Sequence, residues 1–321
     1  MGRVRRGRAI DGILILDKST GPSSNQVLQT VKRLFGASKA GHTGSLDPLA
    51  TGVLPICFGE ATKFSQFLLE ADKVYRATFC LGITTTTGDA QGEILHRTCA
   101  KQLTMEQVEA AVSGFRGVIA QIPSMYSALK HRGRPLYQLA RQGIEVEREA
   151  RQVQIHEFRI EGFHAGAQPL IEVVIRCSKG TYVRSIAEDL GAVLGCGAHV
   201  ASLRRLASGP FDHSRAIDLE HIRALQEAGQ LSALDALLLP VEMAVGDRRR
   251  IDLTDGQSWY FGRGNPVLAS IGADFDLDTG ELVRVFREDG EFLGLGQNLG
   301  DGRVKPHRLL CQVPSVPSAL A

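Results

Sequence analysis

Hydrophobic residues along the chain fall in short blocks whose spacing alternates between strand and helix periods. Residues 12–16, GILIL, are an uninterrupted apolar run of strand length, and the DKSTGPSS that contains the next turn is dense in chain breakers. Ser23 followed by Gln26 is a capping-box pattern and predicts a helix over 24–35. Val27, Leu28, Val31, Leu34 and Phe35 give that helix one apolar face, and Gly36 ends it. Residues 41–63 read as loop and short strand, and Phe64, Phe67 and Leu68 as a brief helix. Over 73–81, KVYRATFCL, the two-residue period places Tyr75, Ala77, Phe79 and Leu81 on one face of a strand. ITTTTGDAQGE reads as a polar loop. Thr104 with Gln107 opens a second capped helix, with Val108, Ala111, Val112 and Phe115 inward.

Residues 123–151 are polar, basic and interrupted, which predicts an insertion that is disordered in the absence of a ligand. Residues 170–176 return to strand, SKGTYVRS is a turn, and Ile186, Ala187 and Leu190 belong to a helix. A strand over 199–206 and helical segments near 218–238 follow, closed by Pro240. Beyond about residue 246 short apolar pieces alternate with glycine-containing turns, as in LVRVFREDGEFLGLGQ, which suits a small β-rich domain or barrel. No internal repeat is visible, and VPSVPSALA reads as a loose tail.

Composition changes this picture little. The chain has 321 residues, 43% hydrophobic and 22% charged, enough for two domains. No apolar run approaches a membrane span, and MGRVRRGR is not a signal peptide. The six cysteines stand singly, which argues for reduced thiols in a cytoplasm, and neither they nor the nine histidines have metal-ligand spacing. The net charge is only +2, but cations cluster: Arg3, Arg5, Arg6 and Arg8; Lys130, Arg132, Arg134, Arg141, Arg148 and Arg151; Arg204 with Arg205; and Arg248 to Arg250. Such clusters on a near-neutral chain suit a polyanion that touches one face, although each alone reads more readily as solvated surface.

The candidate chemistry sits in residues 41–63, GHTGSLDPLATGVLPICFGEATK. One acid, Asp47, lies there among His42, Thr43, Ser45, four glycines (Gly41, Gly44, Gly52, Gly59) and two prolines. Pro48 fixes its own φ and biases Asp47 away from the helical region. So many backbone restrictions around one acid suit a carboxylate held in a set position, although turn chemistry alone favours an Asp that merely caps a turn. There is no GxxxxGK(S/T) and no GxGxxG between strand and helix, which removes nucleotide loops. A serine-hydrolase elbow is missing, and only one acid is set off by its context, where a retaining glycosidase needs two.

Over more than twenty residues, GHTGSLDPLATGVLPICFGEATKF resembles the signature of the TruB family, bacterial tRNA pseudouridine synthases that act on the T-loop uridine at position 55. Four further stretches resemble the family in order: KVYRATFCLG, the insertion PSMYSALKHRGRPLYQLARQGIEVEREAR, KGTYVRSIAEDLG and GAHVASLRRLASGPF. Ser124 departs from the family, which often has proline there. The resemblance implies an α+β pseudouridine synthase fold with a mixed, largely antiparallel sheet over 10–245. It also implies an RNA-gripping insertion at 123–151, a PUA-like RNA-binding β-barrel domain over 246–315, a basic arm at 1–9 and a tail at 316–321.

By the same resemblance Asp47 is the catalytic aspartate, Arg184 pairs with it through two parallel hydrogen bonds, and Tyr75 packs on the target base. His42, Leu203, Lys18, Lys73 and Tyr182 are implied as substrate-binding. The implied reaction breaks the N-glycosidic bond of uridine, turns the base and rejoins it through C5, after the base is flipped from its stack. It uses no cofactor and no metal, and the enzyme works in the cytoplasm as a monomer on tRNA, without a protein partner. Two rivals remain at this point. One is a non-catalytic tRNA-binding or RNA-folding module on the same fold, and the other is a guide-RNA-dependent synthase, against which the long insertion speaks.

Overall fold

The computed structural model of the chain describes residues 7–269 and 278–310. Arg3, Arg5 and Arg6 of the expected arm, residues 311–315 of the expected C-terminal domain, and the tail at 316–321 lie outside the described residues.

The GILIL run becomes β1 (Gly12–Lys18). Ser23 and Gln26 close a capping box over α1 (Ser24–Leu34), which turns Val27, Leu28 and Val31 inward. Next come β2 (Ala40–His42) and β3 (Thr51–Phe58). β3 is a full strand rather than a short one, with seven of its eight residues buried, because it runs between β1 and a later strand with both faces covered. α2 (Ser65–Glu70) follows, and β4 (Lys73–Leu81) keeps Tyr75, Ala77, Phe79 and Leu81 buried as its period requires. The polar run after it is partly strand: β5 (Ile83–Thr85) pairs with β6 (Ile94–Arg97), since β-branched threonines suit a ladder. α3 (Met105–Ser113) begins at the predicted Thr104–Gln107 box and leads into β7 (Gly117–Gln121).

The insertion has more structure than its polarity predicts. A hairpin of β8 (Lys130–His131) and β9 (Arg134–Pro135) leads into α4 (Leu136–Ala140), around a small core of Met125, Leu136 and Leu139. The sequence pattern missed β10 (Arg151–His164), the longest strand. Register shifts at Ile155/Glu157 and Ile160/Gly162 break its apolar alternation into pieces too short to read. The domain ends with β11 (Leu170–Cys177), α5 (Val183–Val193), β12 (Ala198–Ser208), β13 (Phe211–Asp212), β14 (Ile217–Asp218), α6 (Leu219–Glu227) and α7 (Leu231–Ala236).

Ten of these strands form one mixed sheet in the order β14-β1-β3-β12-β4-β11-β10-β7, with β2 on β3 and β13 on β12. β1 with β14 and β3 with β12 are parallel pairs; the other pairs are antiparallel. The two faces of β1 divide the cores. Leu14 and Leu16 join the helix-covered core, which includes Val27 and Val31 of α1 and Ile186 and Leu190 of α5. Ile13 and Ile15 face a second core, shared with Phe64 and Leu68 and with Phe286, Phe292 and Leu295 of the C-terminal part.

That part comprises β15 (Arg250–Leu253), α8 (Asp255–Gly262), β16 (Val267–Leu268), β17 (Leu282–Arg287), β18 (Phe292–Asn298) and β19 (Arg303–Leu309). Its sheet runs β15-β17-β18-β19-β16, a PUA-like arrangement. α8 was hidden in a stretch read as strand and turn; a Thr254–Gln257 capping box starts it. The Arg248–Arg250 cluster is drawn into protein contacts. Arg248 lies over Phe67 at 5.4 Å, while Arg250 lies over Phe286 at 4.1 Å and pairs with Asp252.

Candidate active site

Asp47 stands on the loop between β2 and β3, and the turn after β1 holds that loop in place. Lys18 Nζ donates to the carbonyls of Ala50 at 2.7 Å and Asp47 at 3.2 Å, and to Ser19 at 3.0 Å. Ser24, at the start of α1, bridges both sides of Leu46: its Oγ accepts from the Leu46 N–H at 2.7 Å and donates to the Leu46 carbonyl at 3.1 Å. The Gly21 N–H donates to Pro48 O at 2.9 Å, and Ala50 N–H closes a turn onto Asp47 O at 3.0 Å. The structure places Lys18, expected to bind substrate, on the backbone of the Asp47 loop. Its ammonium is buried against carbonyls, and burial pulls its pKa down from 10.5 to about 8, with Asp47 opposing. DKSTGPSS acts on the site by fixing the backbone under the acid.

Arg184, in the first turn of α5, meets Asp47 fork to fork. Nε donates to Oδ2 at 2.8 Å and Nη2 to Oδ1 at 3.2 Å. The rest of the guanidinium donates to Thr87 O at 2.8 Å and Tyr126 O at 2.9 Å, with Ser124 Oγ at 3.4 Å. The Arg184 side chain is 4% exposed and that of Asp47 35%, so the pair is sealed on the arginine side and open on the acid side. Ser124, the departure from the family, thus touches the arginine. Gln121, which no motif singles out, locks the start of α5: its Oε1 accepts from Tyr182 N–H at 2.7 Å and its Nε2 donates to Tyr182 O at 3.0 Å.

A cavity of about 350 Å³ opens above Asp47, and Arg184, Tyr75, Leu203, Tyr182 and Lys73 also line it. Tyr75 is buried on β4, and burial pushes its phenol up, so it is a neutral hydroxyl at neutral pH. Burial likewise raises the Tyr182 phenol. Leu203 adds an apolar wall from β12. Lys73 lines the cavity, and its ammonium caps α2, donating to Ala71 O at 2.6 Å and Leu69 O at 2.7 Å. Burial draws its pKa to about 8. His42 stands on β2 outside the cavity lining, and burial lowers its proton affinity.

The Arg204–Arg205 cluster divides between solvent and interior. Arg204 pairs with Asp17 through Nη1 at 3.0 Å and Nη2 at 2.6 Å, and Arg205 is fully buried in the cavity wall. The only signal for Arg205 was its two-residue offset from Leu203 on one strand, which puts both on the same face.

A half-open carboxylate fixed by a buried guanidinium, beneath a cavity with an aromatic and an aliphatic wall, can act at one face of a planar ring or its sugar. The comparisons agree with that geometry. Residues 32–183 match the profile described as TruB family pseudouridylate synthase (N terminal domain). Residues 184–246 match tRNA pseudouridylate synthase B C-terminal domain, and residues 250–310 match Pseudouridine synthase II TruB, C-terminal. The chain is 51% identical to tRNA pseudouridine synthase B of Saccharophagus degradans over 97% of its own length and 99% of that protein's. To the Escherichia coli protein of the same name it is 50% identical over 97% and 98%. A solved H/ACA RNP bound to a substrate RNA containing 2′-deoxyuridine shares the fold with a TM-score of 0.72 at 22% identity, covering 99% of this chain and 93% of that one. The archaeal box H/ACA sRNP Nop10–Cbf5 complex does so with a TM-score of 0.70 at 23% identity, covering 98% and 93%. Identity near one half along almost the whole chain, together with profiles that tile it, shows that the protein belongs to the TruB family of pseudouridine synthases.

Proposed function

We propose that the chain converts the T-loop uridine at position 55 of tRNA to pseudouridine, acting as a monomer on RNA without a guide RNA or protein partner. The bidentate Asp47–Arg184 pair under an open cavity carries this reading. A uridine stacked in a folded loop is out of reach, so the base must flip into the cavity, at a cost of a few kcal/mol in stacking. Lys130, Arg132, Arg134, Arg141 and Arg151 are exposed on and beside the insertion and would take the loop phosphates.

In the cavity Tyr75 and Leu203 pack the base and Asp47 faces the ribose and ring. Asp47 acts while the N1–C1′ bond breaks; the base turns, C5 joins C1′, the C5 proton leaves to solvent and N1 takes up a proton. Arg184 keeps the carboxylate aimed, and Lys18 and Ser24 keep its loop in register. Tyr182 contributes its ring to the cavity wall, and His42, on the neighbouring β2, contacts the RNA loop around the flipped base.

The test is release of tritium from tRNA transcript labelled at uridine C5, with Asp47→Asn as the control. One equivalent per tRNA from the wild type and none from the variant is expected, with labelled position 55 as the source. Tight tRNA binding with no release from the wild type would sink the enzyme reading and leave a binding module.

A further inference from the structure

Arg205 has no part in the steps above, yet it is among the most deeply buried side chains of the protein, at 1% exposure. It stands directly across from Tyr75 in the β12–β4 register and lines the same cavity as Asp47 and Leu203. Nε donates to Val53 O at 2.6 Å and Nη2 to Gly44 O at 3.1 Å, and the guanidinium also reaches the Tyr75 hydroxyl. Among the described residues, the neighbouring carboxylates are already taken: Asp47 pairs with Arg184 and Asp17 with Arg204. Arg205 is thus a buried cation with neutral partners only. Its field is felt around the cavity, where burial first and Arg205 after it lower the proton affinity of Lys18 on β1, His42 on β2 and Lys73 on β4.

A buried charge without a counter-ion weighs against folding. Neutral donors would serve the two backbone carbonyls as well, so nothing in the packing requires the charge. A transient anion in the cavity would. When the N1–C1′ bond breaks, its electron pair leaves with the uracil ring, and the negative charge spreads over N1, O2 and O4. The deficit at C1′ is met on the Asp47 side. When C5 joins C1′ the ring returns the pair, C5 loses a proton to solvent and N1 gains one. Between these steps the ring is an anion, and the charge of Arg184 is already matched by Asp47. We propose that Arg205 is a further catalytic residue, whose guanidinium, fixed by Val53, Gly44 and Tyr75, stabilises the detached uracil anion while the base turns.

The inference rests on the synthase reading, and the experiment separates the two. Full-length wild type, Arg205→Gln and Arg205→Lys are compared in single-turnover tritium release from the labelled tRNA transcript, with tRNA binding and circular dichroism measured alongside. Arg205→Gln should bind tRNA within about threefold of wild type and react at least about 100-fold slower. Arg205→Lys should recover about tenfold at neutral pH and lose it on raising the pH. A lysine buried here, facing Lys18, His42, Lys73 and Tyr75, with Asp47 and Arg184 across the cavity, gives up a proton that arginine keeps. A purely structural Arg205 would not move the pH profile. A folded Arg205→Gln reacting within about threefold of wild type overturns the proposal. So does an Arg205→Lys profile parallel to wild type, which decides alone if the glutamine variant does not fold. No release from the wild type refutes the underlying reading, and this proposal falls with it.

Discussion

Replacing Arg184 by lysine separates the orientation of Asp47 from the mere presence of a positive charge. The fork reaches both carboxylate oxygens, at 2.8 and 3.2 Å, and two carbonyls, Thr87 O at 2.8 Å and Tyr126 O at 2.9 Å. An ammonium is a point charge that cannot reproduce this planar pattern. One lost charge-assisted bond to Asp47 removes about 1.5–3 kcal/mol of orienting energy. At about 1.4 kcal/mol per decade, the chemical step should slow by about 10- to 100-fold. At least one buried carbonyl also loses its donor, so stability should fall by about 1–3 kcal/mol. The assay is single-turnover tritium release at saturating enzyme, with filter binding of tRNA and urea unfolding in parallel. A rate within about threefold of wild type at unchanged binding would refute the claim that the fork, rather than its charge, prepares the acid.

Lys18→Met should cut the rate without weakening tRNA binding in proportion, because the Asp47 loop loses its buried anchor; a binding constant that falls as far as the rate would count against this. The folded pKa of Lys18 lies near 8, below the unfolded 10.5, so between these values the unfolded chain binds more protons and stability rises with pH. Below about 8 the full cost of burying the ammonium applies, so urea midpoints of wild type should gain on those of Lys18→Met as pH rises through this window. Gly52→Ala should lose at least about 1–3 kcal/mol in thermal unfolding. Gly52 has φ +100° and its Cβ would sit 2.2 Å from the Arg205 carbonyl oxygen, so an unchanged melting temperature would contradict that close approach. Phe292→Ala should cost about 3–5 kcal/mol. Since Phe292 packs on Phe64 at 5.7 Å and on Phe286 at 5.1 Å, calorimetry should show one lowered transition rather than a separate C-terminal melt.

What the sequence made legible was local. The capping boxes at Ser23 and Thr104 and the alternation of KVYRATFCL each lie within a few residues, and each formed as predicted. Asp47 stood out because its restraints are its own chain neighbours. β10 was not legible, because its bulges shift the apolar phase partway along. The carbonyls that receive Lys18 and Lys73 could not be read from the sequence for a common reason: they come from other parts of the chain or the end of a helix and are brought close only by folding. Arg205 was hidden by its neighbour. Adjacent strand residues point to opposite faces, so Arg204 meets Asp17 and solvent while Arg205 enters the cavity. A two-arginine cluster in a strand is therefore two separate facts.

Arg184 joins parts of the chain that are distant in sequence: Asp47 on the β2–β3 loop, Thr87 beyond β5, and Ser124 and Tyr126 at the root of the insertion. The fork has fixed geometry, so the insertion root cannot shift without pulling on the partner of the acid. The exposed Lys130 and Arg132 lie at the other end of this segment, on and next to the β8–β9 hairpin. A phosphate held there loads the insertion at its tip, and Ser185 Oγ, which donates to Ile122 O at 3.3 Å, ties the same root to α5. The exposure gradient completes the logic. Arg184 is sealed and Asp47 open, so on the proposed function substrate would meet the acid while the group that aims it stays dry and strongly coupled. On the proposed function, RNA capture at the insertion and acid orientation would be mechanically continuous through one guanidinium, and a variant that loosens the root at Ser124 or Tyr126 would disturb the chemistry without touching either phosphate or base.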